Sequence, residues 1–212
     1  YDLDQNEIKP YLQLEKLREG MFWMAGELYG LQFKQIHGVP VHHPDVRVWE
    51  VTNADGHVGL WYFDPYARAG KRSGAWMNNY RDQERFRGDV APIVSNNSNF
   101  TKGAEGEAVL ISWDDAGTLF HEFGHAIHGL LSDVTYPTVS GTNTARDFVE
   151  FPSQLHEHWL ATPELLSKFA LHVETGEPMP AELLERIEAS ANFDQGFATT
   201  EYLASAFIDM KL

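Results

Sequence analysis

The run His121-Glu122-Phe123-Gly124-His125, followed by Glu150, decides the reading of this chain. At about 100° of turn per residue, positions i and i+4 of a helix lie roughly 40° apart, so both imidazoles can reach one metal ion. Glu122 then points to the side, where its carboxylate meets an activated water without ligating the metal. Residues 114–131 carry Leu119, Phe120, Phe123, Ile127, Leu130 and Leu131 at helical spacing, and Ser112 with Asp115 three residues later forms a reciprocal N-terminal cap. The two histidines are therefore expected two to three turns into a rigid, half-buried helix.

Zinc is the metal expected, because imidazole plus carboxylate with one open position is its usual catalytic coordination. His128 shares the face but sits about 10 Å further along the axis than His121, too far to share an ion. Glu150 is the better third ligand. Phe148, Phe151, Leu155 and Trp159 give its surroundings a helical apolar stripe with Thr144 as the cap, and the Ser/Thr/Gly/Pro-rich loop at 132–143 lets this second helix fold back on the first. Pro152 predicts a kink just after Glu150.

The stretch from 110 to 159, including HEFGHAIHGLLSD and SGTNTARDFVEFPSQLHEHW, resembles the thimet oligopeptidase family of zinc peptidases, which includes oligopeptidase A and the peptidyl-dipeptidases. Upstream, HHPDVRVWEV, FDPYARAGKRSGAWM and the block 92–115 resemble it too, and SGTNTARDFVEFPSQ leans toward the peptidyl-dipeptidase branch. The resemblance implies His121, His125 and Glu150 as zinc ligands, Glu122 as general base, short peptides as substrates and a cytoplasmic location. It also implies a more C-terminal block of tyrosines and a histidine for transition-state stabilisation, and an extended helical N-terminal region. Neither is found in these residues, so a partial catalytic domain spanning 1–212 is expected.

The fold expected is α+β and mainly helical, a zincin-like core with a small, mostly antiparallel sheet. Helices are expected at 5–18 and 21–29 with Gly20 as a break, making 1–45 a helical lead-in. Residues 46–51 and 58–63 around a turn at 53–56 form a hairpin, and a second pair of short strands is expected at 91–95 and 107–112 with a polar linker at 96–106. This makes 46–112 the β-rich part. Residues 113–212 hold the metal helices, a helix from Thr162-Pro163 to about Gly176, another opened by Pro180, and a last one near 195–210.

Peptidases of this kind hold an extended substrate against a sheet edge. Ile93 to Asn99 is the candidate edge, with Ile93, Val94, Ser95 and Gly141 as candidate substrate contacts; a core strand with a polar exit is the competing assignment. Arg146 and Asp147 beside Glu150 invite a substrate role, but a local ion pair or helix-start acid is the preferred assignment, and Trp76 of Gly74-Ala75-Trp76 is either cleft or core.

A formal charge of −15 argues against nucleic acid as a partner. No apolar run is long enough to span a bilayer, so no membrane partner is expected. With no cysteine, disulfides are excluded. Two other classes stay open: a zinc-binding fragment without turnover, and a non-catalytic helical binding module whose motif is accidental.

Overall fold

The computed structural model describes residues 4–104, 106–190 and 192–212. It is an α+β fold in which seven α-helices among these residues surround a five-stranded sheet of order β1-β2-β3-β5-β4.

The chain enters through α1 (Gln5–Ile8), capped by Asp4, and a 3-10 turn at Lys9–Tyr11. Next comes α2 (Leu14–Tyr29), ended by Gly30 in the left-handed region at φ 67°. Gly20 does not break α2. It is buried mid-helix, where a Cβ would come within 3.2 Å of the Phe169 ring, so the glycine serves the close approach of α5 (Pro163–Phe169).

The expected hairpin is present as β2 (Arg47–Asn53) and β3 (Gly56–Tyr66), with the Asn53 side chain accepting from the Asp55 N–H at 2.9 Å in the turn. Two further strands were not anticipated. β1 (Gln32–Ile36) pairs antiparallel with β2, and β4 (Trp76–Arg81) closes the other side. β1 is mostly polar, and what fixes it is Phe33 stacking on Phe22 at 4.1 Å, a contact that spacing along the strand does not reveal.

β5 (Ile93–Phe100) begins near the expected place but runs on through Asn96, Asn97 and Ser98, in the stretch whose polarity predicts a linker. Residue 105 of that linker lies outside the described residues. The two asparagines are buried because the fold supplies partners, Asn97 donating to the Trp76 carbonyl at 3.2 Å and to Ser95 Oγ at 3.2 Å. Asn96 accepts from the Trp61 indole at 2.7 Å and donates to the Glu122 carbonyl at 2.5 Å. β5 pairs parallel with β3 and antiparallel with β4, so one of the sheet's four pairings is parallel. Residues 107–112 form no strand of the sheet: Leu14 N–H bonds Val109 O, Ile111 N–H bonds Leu12 O, and the segment is thereby tied to the N-terminal chain.

One face of the sheet packs on α2 and on α3 (Trp113–Leu130) through an aromatic core of Phe22, Trp49, Trp61, Phe63 and Phe123, with Trp61 and Phe123 edge to face at 5.6 Å. Burial of rings of this size supplies much of the driving force. α4 (Phe151–Leu160) folds back along α3, after a loop with one 3-10 turn at Pro137–Val139. α5 ends at Phe169 rather than near Gly176; the intervening residues form a small turn in which Leu171 bridges Pro178. α6 (Ala181–Ser190) follows Pro180, and α7 (Gln195–Asp209) has no buried residue.

Candidate metal centre

Helix α3 carries the paired histidines as expected. Ser112 Oγ accepts from the Asp115 N–H at 3.0 Å and Asp115 accepts from the Ser112 N–H at 3.3 Å, completing the capping box. The rings of His121 and His125 face the same side, 4.9 Å apart and nearly perpendicular.

Glu150 meets them from the start of α4. Its Oε2 lies 3.1 Å from Nε2 of His121 and 3.0 Å from Nε2 of His125, and the three ligand atoms fall within 4.8 Å of one another. A tetrahedral ion with bonds of about 2.0–2.1 Å holds its ligands roughly 3.3 Å apart, so the donor set fits a small divalent cation. The expected kink at Pro152 does not occur. Proline sits in the first turn of α4, where a missing N–H costs little, and Glu150 is the N-cap residue, with the helix beginning at Phe151. Thr144 therefore caps no helix.

Three neighbours hold this geometry. The Ser153 hydroxyl donates toward Glu150 Oε2 at 2.9 Å. Burial pushes the Glu150 carboxyl up, but the Ser153 hydrogen bond and the two imidazoles outweigh it, leaving the group below its usual range. The Glu157 carboxylate lies 2.6 Å from Nδ1 of His121; a proton held there leaves the Nε2 lone pair free for a metal. Between the histidines, Gly124 has no room for a side chain, since a Cβ would stand 2.7 Å from Ser153 Cα and 2.9 Å from the Pro152 carbonyl. That close backbone approach brings Glu150 within reach of α3. Neither Glu157 nor Gly124 was singled out from sequence, although Glu157 sits seven residues after Glu150 and so lies on the same face of the second helix.

Glu122 is only 7% exposed, and its Oε2 has no hydrogen-bond partner. Burial pushes its pKa up to about 7, with His121 opposing and Glu150 adding to the rise. Such a carboxylate is poised to take and return a proton near neutral pH. It lines a cleft of about 700 Å³ together with Ala75, Trp113, Thr118, His121 and Glu157.

The whole of residues 1–212 matches the model of peptidase family M3. The chain belongs to peptidase family M3. It is 46% identical over 213 residues to a dipeptidyl carboxypeptidase of Salmonella typhimurium and 45% identical over 213 residues to the one of Escherichia coli. With oligopeptidase A of Escherichia coli the identity is 36% over 217 residues. Each alignment covers 100% of this chain but only 31–32% of the relative, so the chain spans about a third of their length.

The candidate substrate contacts of this M3 chain are placed differently from expectation. Ile93, Val94 and Ser95 do not form an edge: β5 lies between β3 and β4, and the Val94 and Ser95 side chains are fully buried. The sheet's edge on that side is β4, beside Ala75. Gly141 is buried at φ 52°, where a Cβ would meet Gly129 Cα at 2.9 Å, so it seats the interhelical loop against α3. His128 stands outside the His121, His125 and Glu150 cluster, in keeping with the packing role its spacing implies; it lies 6.2 Å from the Phe148 ring, and burial holds its imidazole below the usual range. Arg146 and Asp147 are exposed and form no ion pair among the described residues. Trp76 is half-buried under the Arg72 guanidinium, 5.0 Å from its ring centroid.

Proposed function

We propose that these residues are the zinc-binding, zincin-like core of a peptide hydrolase of the M3 family, a partial catalytic domain of an enzyme acting on short peptides. The observation that carries this is the convergence of His121 Nε2, His125 Nε2 and Glu150 Oε2 beside a buried, unpaired Glu122 carboxylate. Zinc bound there supplies Lewis acidity, lowering the pKa of water and polarising the scissile carbonyl.

Within that scheme Glu122 removes a proton from the attacking water and returns it to the leaving amine. Its value near 7 suits both transfers. Glu157 keeps His121 in the tautomer that offers Nε2, and Ser153 fixes the Glu150 carboxylate. The open edge of β4 beside Ala75 offers backbone groups to an extended substrate. Dipeptide release from a C-terminus is favoured over internal cleavage by the higher identity to the dipeptidyl carboxypeptidases. No helix among the described residues is long and apolar enough to cross a membrane, and the cytoplasmic location stays part of this proposal on the strength of the resemblance alone.

The test is cleavage of short peptides by the zinc-loaded chain, by the same chain after chelation, and by Glu122→Gln. Chelator-sensitive hydrolysis that Glu122→Gln abolishes while retaining zinc supports the assignment. Hydrolysis by Glu122→Gln at the parent rate removes Glu122 from the base role.

A further inference from the structure

Behind the metal centre, one side chain grips the first turn of α4. His156 is buried, and its ring lies between two partners. Nδ1 stands 2.6 Å from the Pro152 carbonyl, and Nε2 stands 3.2 Å from the Tyr29 hydroxyl. A carbonyl only accepts, so Nδ1 carries the proton, and Nε2 with its free lone pair accepts from the tyrosine. Burial pushes the imidazole pKa down, against the Pro152 hydrogen bond, which keeps the ring neutral at pH 7 and this pattern intact. A buried ring with both nitrogens satisfied is a fixed strut, here joining the last residue of α2 to the first turn of α4.

The strut bears on the peptide unit between Pro152 and Ser153. A Cβ on Gly124, between the two histidines of α3, would stand 2.7 Å from Ser153 Cα, 2.9 Å from the Pro152 carbonyl oxygen and 3.0 Å from His156 Cβ. The nearest atoms at this helix crossing thus belong to His156 and to the peptide it grips. Ser153 in turn donates to Oε2 of Glu150, the atom that faces Nε2 of both His121 and His125. A shift of this peptide therefore carries the carboxylate with it. The Pro152 bond is internal to α4 and sets the tautomer. The Tyr29 bond comes from another helix, and being directional it sets the orientation.

We propose that His156, anchored by Tyr29, is a positioning residue of the metal centre, fixing the first turn of α4 against α3 so that Glu150 presents Oε2 to the ion held by His121 and His125. This rests on the metal-centre reading above and adds a determinant of metal affinity that hydrogen-bonds none of the three ligands.

The experiment separates the hydrogen bonds of His156 from its bulk. His156→Leu keeps an apolar side chain in place without either bond, and His156→Gln offers Oε1 near the position of Nε2, so that the Tyr29 hydroxyl keeps an acceptor. Zinc affinity is measured by chelator competition, and coordination geometry by the visible spectrum of the cobalt-substituted chain. Affinities are compared only where circular dichroism shows the metal-free variant folded, so loss of stability alone does not lower them. His156→Leu is expected to weaken zinc about tenfold and to shift the cobalt bands, and His156→Gln to recover most of the affinity and the parent spectrum. Tyr29→Phe is expected to weaken zinc about threefold in the parent and not at all in the His156→Leu background, because both act through one strut. Parent affinity and spectrum in His156→Leu overturn the proposal, as does a His156→Gln variant no better than His156→Leu. Should His156→Leu not fold, Tyr29→Phe decides, and unchanged affinity there overturns the anchor. Zinc bound by neither the parent nor any variant overturns the metal-centre reading beneath it.

Discussion

The carboxylate of Glu157 stands 2.6 Å from Nδ1 of His121, while Nε2 of the same ring faces Glu150 at 3.1 Å. One imidazole is thus held between two carboxylates, one at the N-cap of α4 and the other two turns along it, and a proton shared with Glu157 would set its tautomer from behind. Replacing Glu157 by Ala is expected to weaken zinc binding about 10- to 100-fold while leaving the fold intact. Competition with a chelator of known affinity measures it, and unchanged affinity removes Glu157 from the positioning role.

Gly124 makes the crossing of α3 and α4 possible. A methyl group there would lie 2.7 Å from Ser153 Cα, a backbone contact that no rotamer change relieves. Gly124→Ala is expected to lose about 1–3 kcal/mol of stability, even though alanine is the better helix former. Zinc affinity should fall with it, because Glu150 moves with α4. Denaturant unfolding that shows a stabilised variant would contradict this packing.

Glu122 couples the metal-free chain to pH. Its folded-state pKa near 7 stands above the ordinary value of about 4.3, so its neutral form is favoured on folding. The associated stability is complete below about pH 4 and is lost as pH rises through about 7. In chelator-treated protein, the parent should therefore lose about 2–3 kcal/mol more than Glu122→Gln between pH 5 and pH 8. A difference between the two that is the same at both pH values would show that burial does not penalise this carboxylate.

Asp64 behaves in the opposite sense. It is 1% exposed, and although burial alone would raise its pKa, hydrogen bonds from Arg68, His42 and Lys71 hold it well below the usual carboxylate range. Lys71 also donates to the carbonyls of Asp64, Tyr66 and Ser98, which pins the loop leading to Ala75 at the cleft. Asp64→Ala strands a buried cation and is expected to cost about 3–5 kcal/mol at pH 7. Because its folded pKa is depressed, the contribution is present above about pH 4 and fades as pH falls below it. Unfolding curves at pH 7 and pH 3 should show the gap between parent and variant narrowing.

What could be read from the sequence followed the range of the interactions involved. His121, His125, Glu122 and the capping box lie within fourteen residues of one another, and helical period alone brings them together. The β2–β3 hairpin is equally local. β5 escaped because Asn96 and Asn97 look solvent-exposed until Trp61 and the Glu122 carbonyl arrive as partners of the first from 35 and 26 residues away, and the Trp76 carbonyl as partner of the second from 21. Gly20 resembled a helix break until Phe169 was found against it, and Pro152 a kink until α4 proved to start one residue earlier. Glu157 carried a usable signal, a carboxylate two turns along the helix that Glu150 opens, but its partner is on another helix.

The most direct test of the account is zinc stoichiometry of the purified chain after dialysis against trace zinc, for the parent, Glu122→Gln, Glu150→Ala and His128→Ala. One zinc per chain is predicted for the parent, Glu122→Gln and His128→Ala, and well under one for Glu150→Ala. Full occupancy in Glu150→Ala, or none in the parent, would contradict the three-ligand centre.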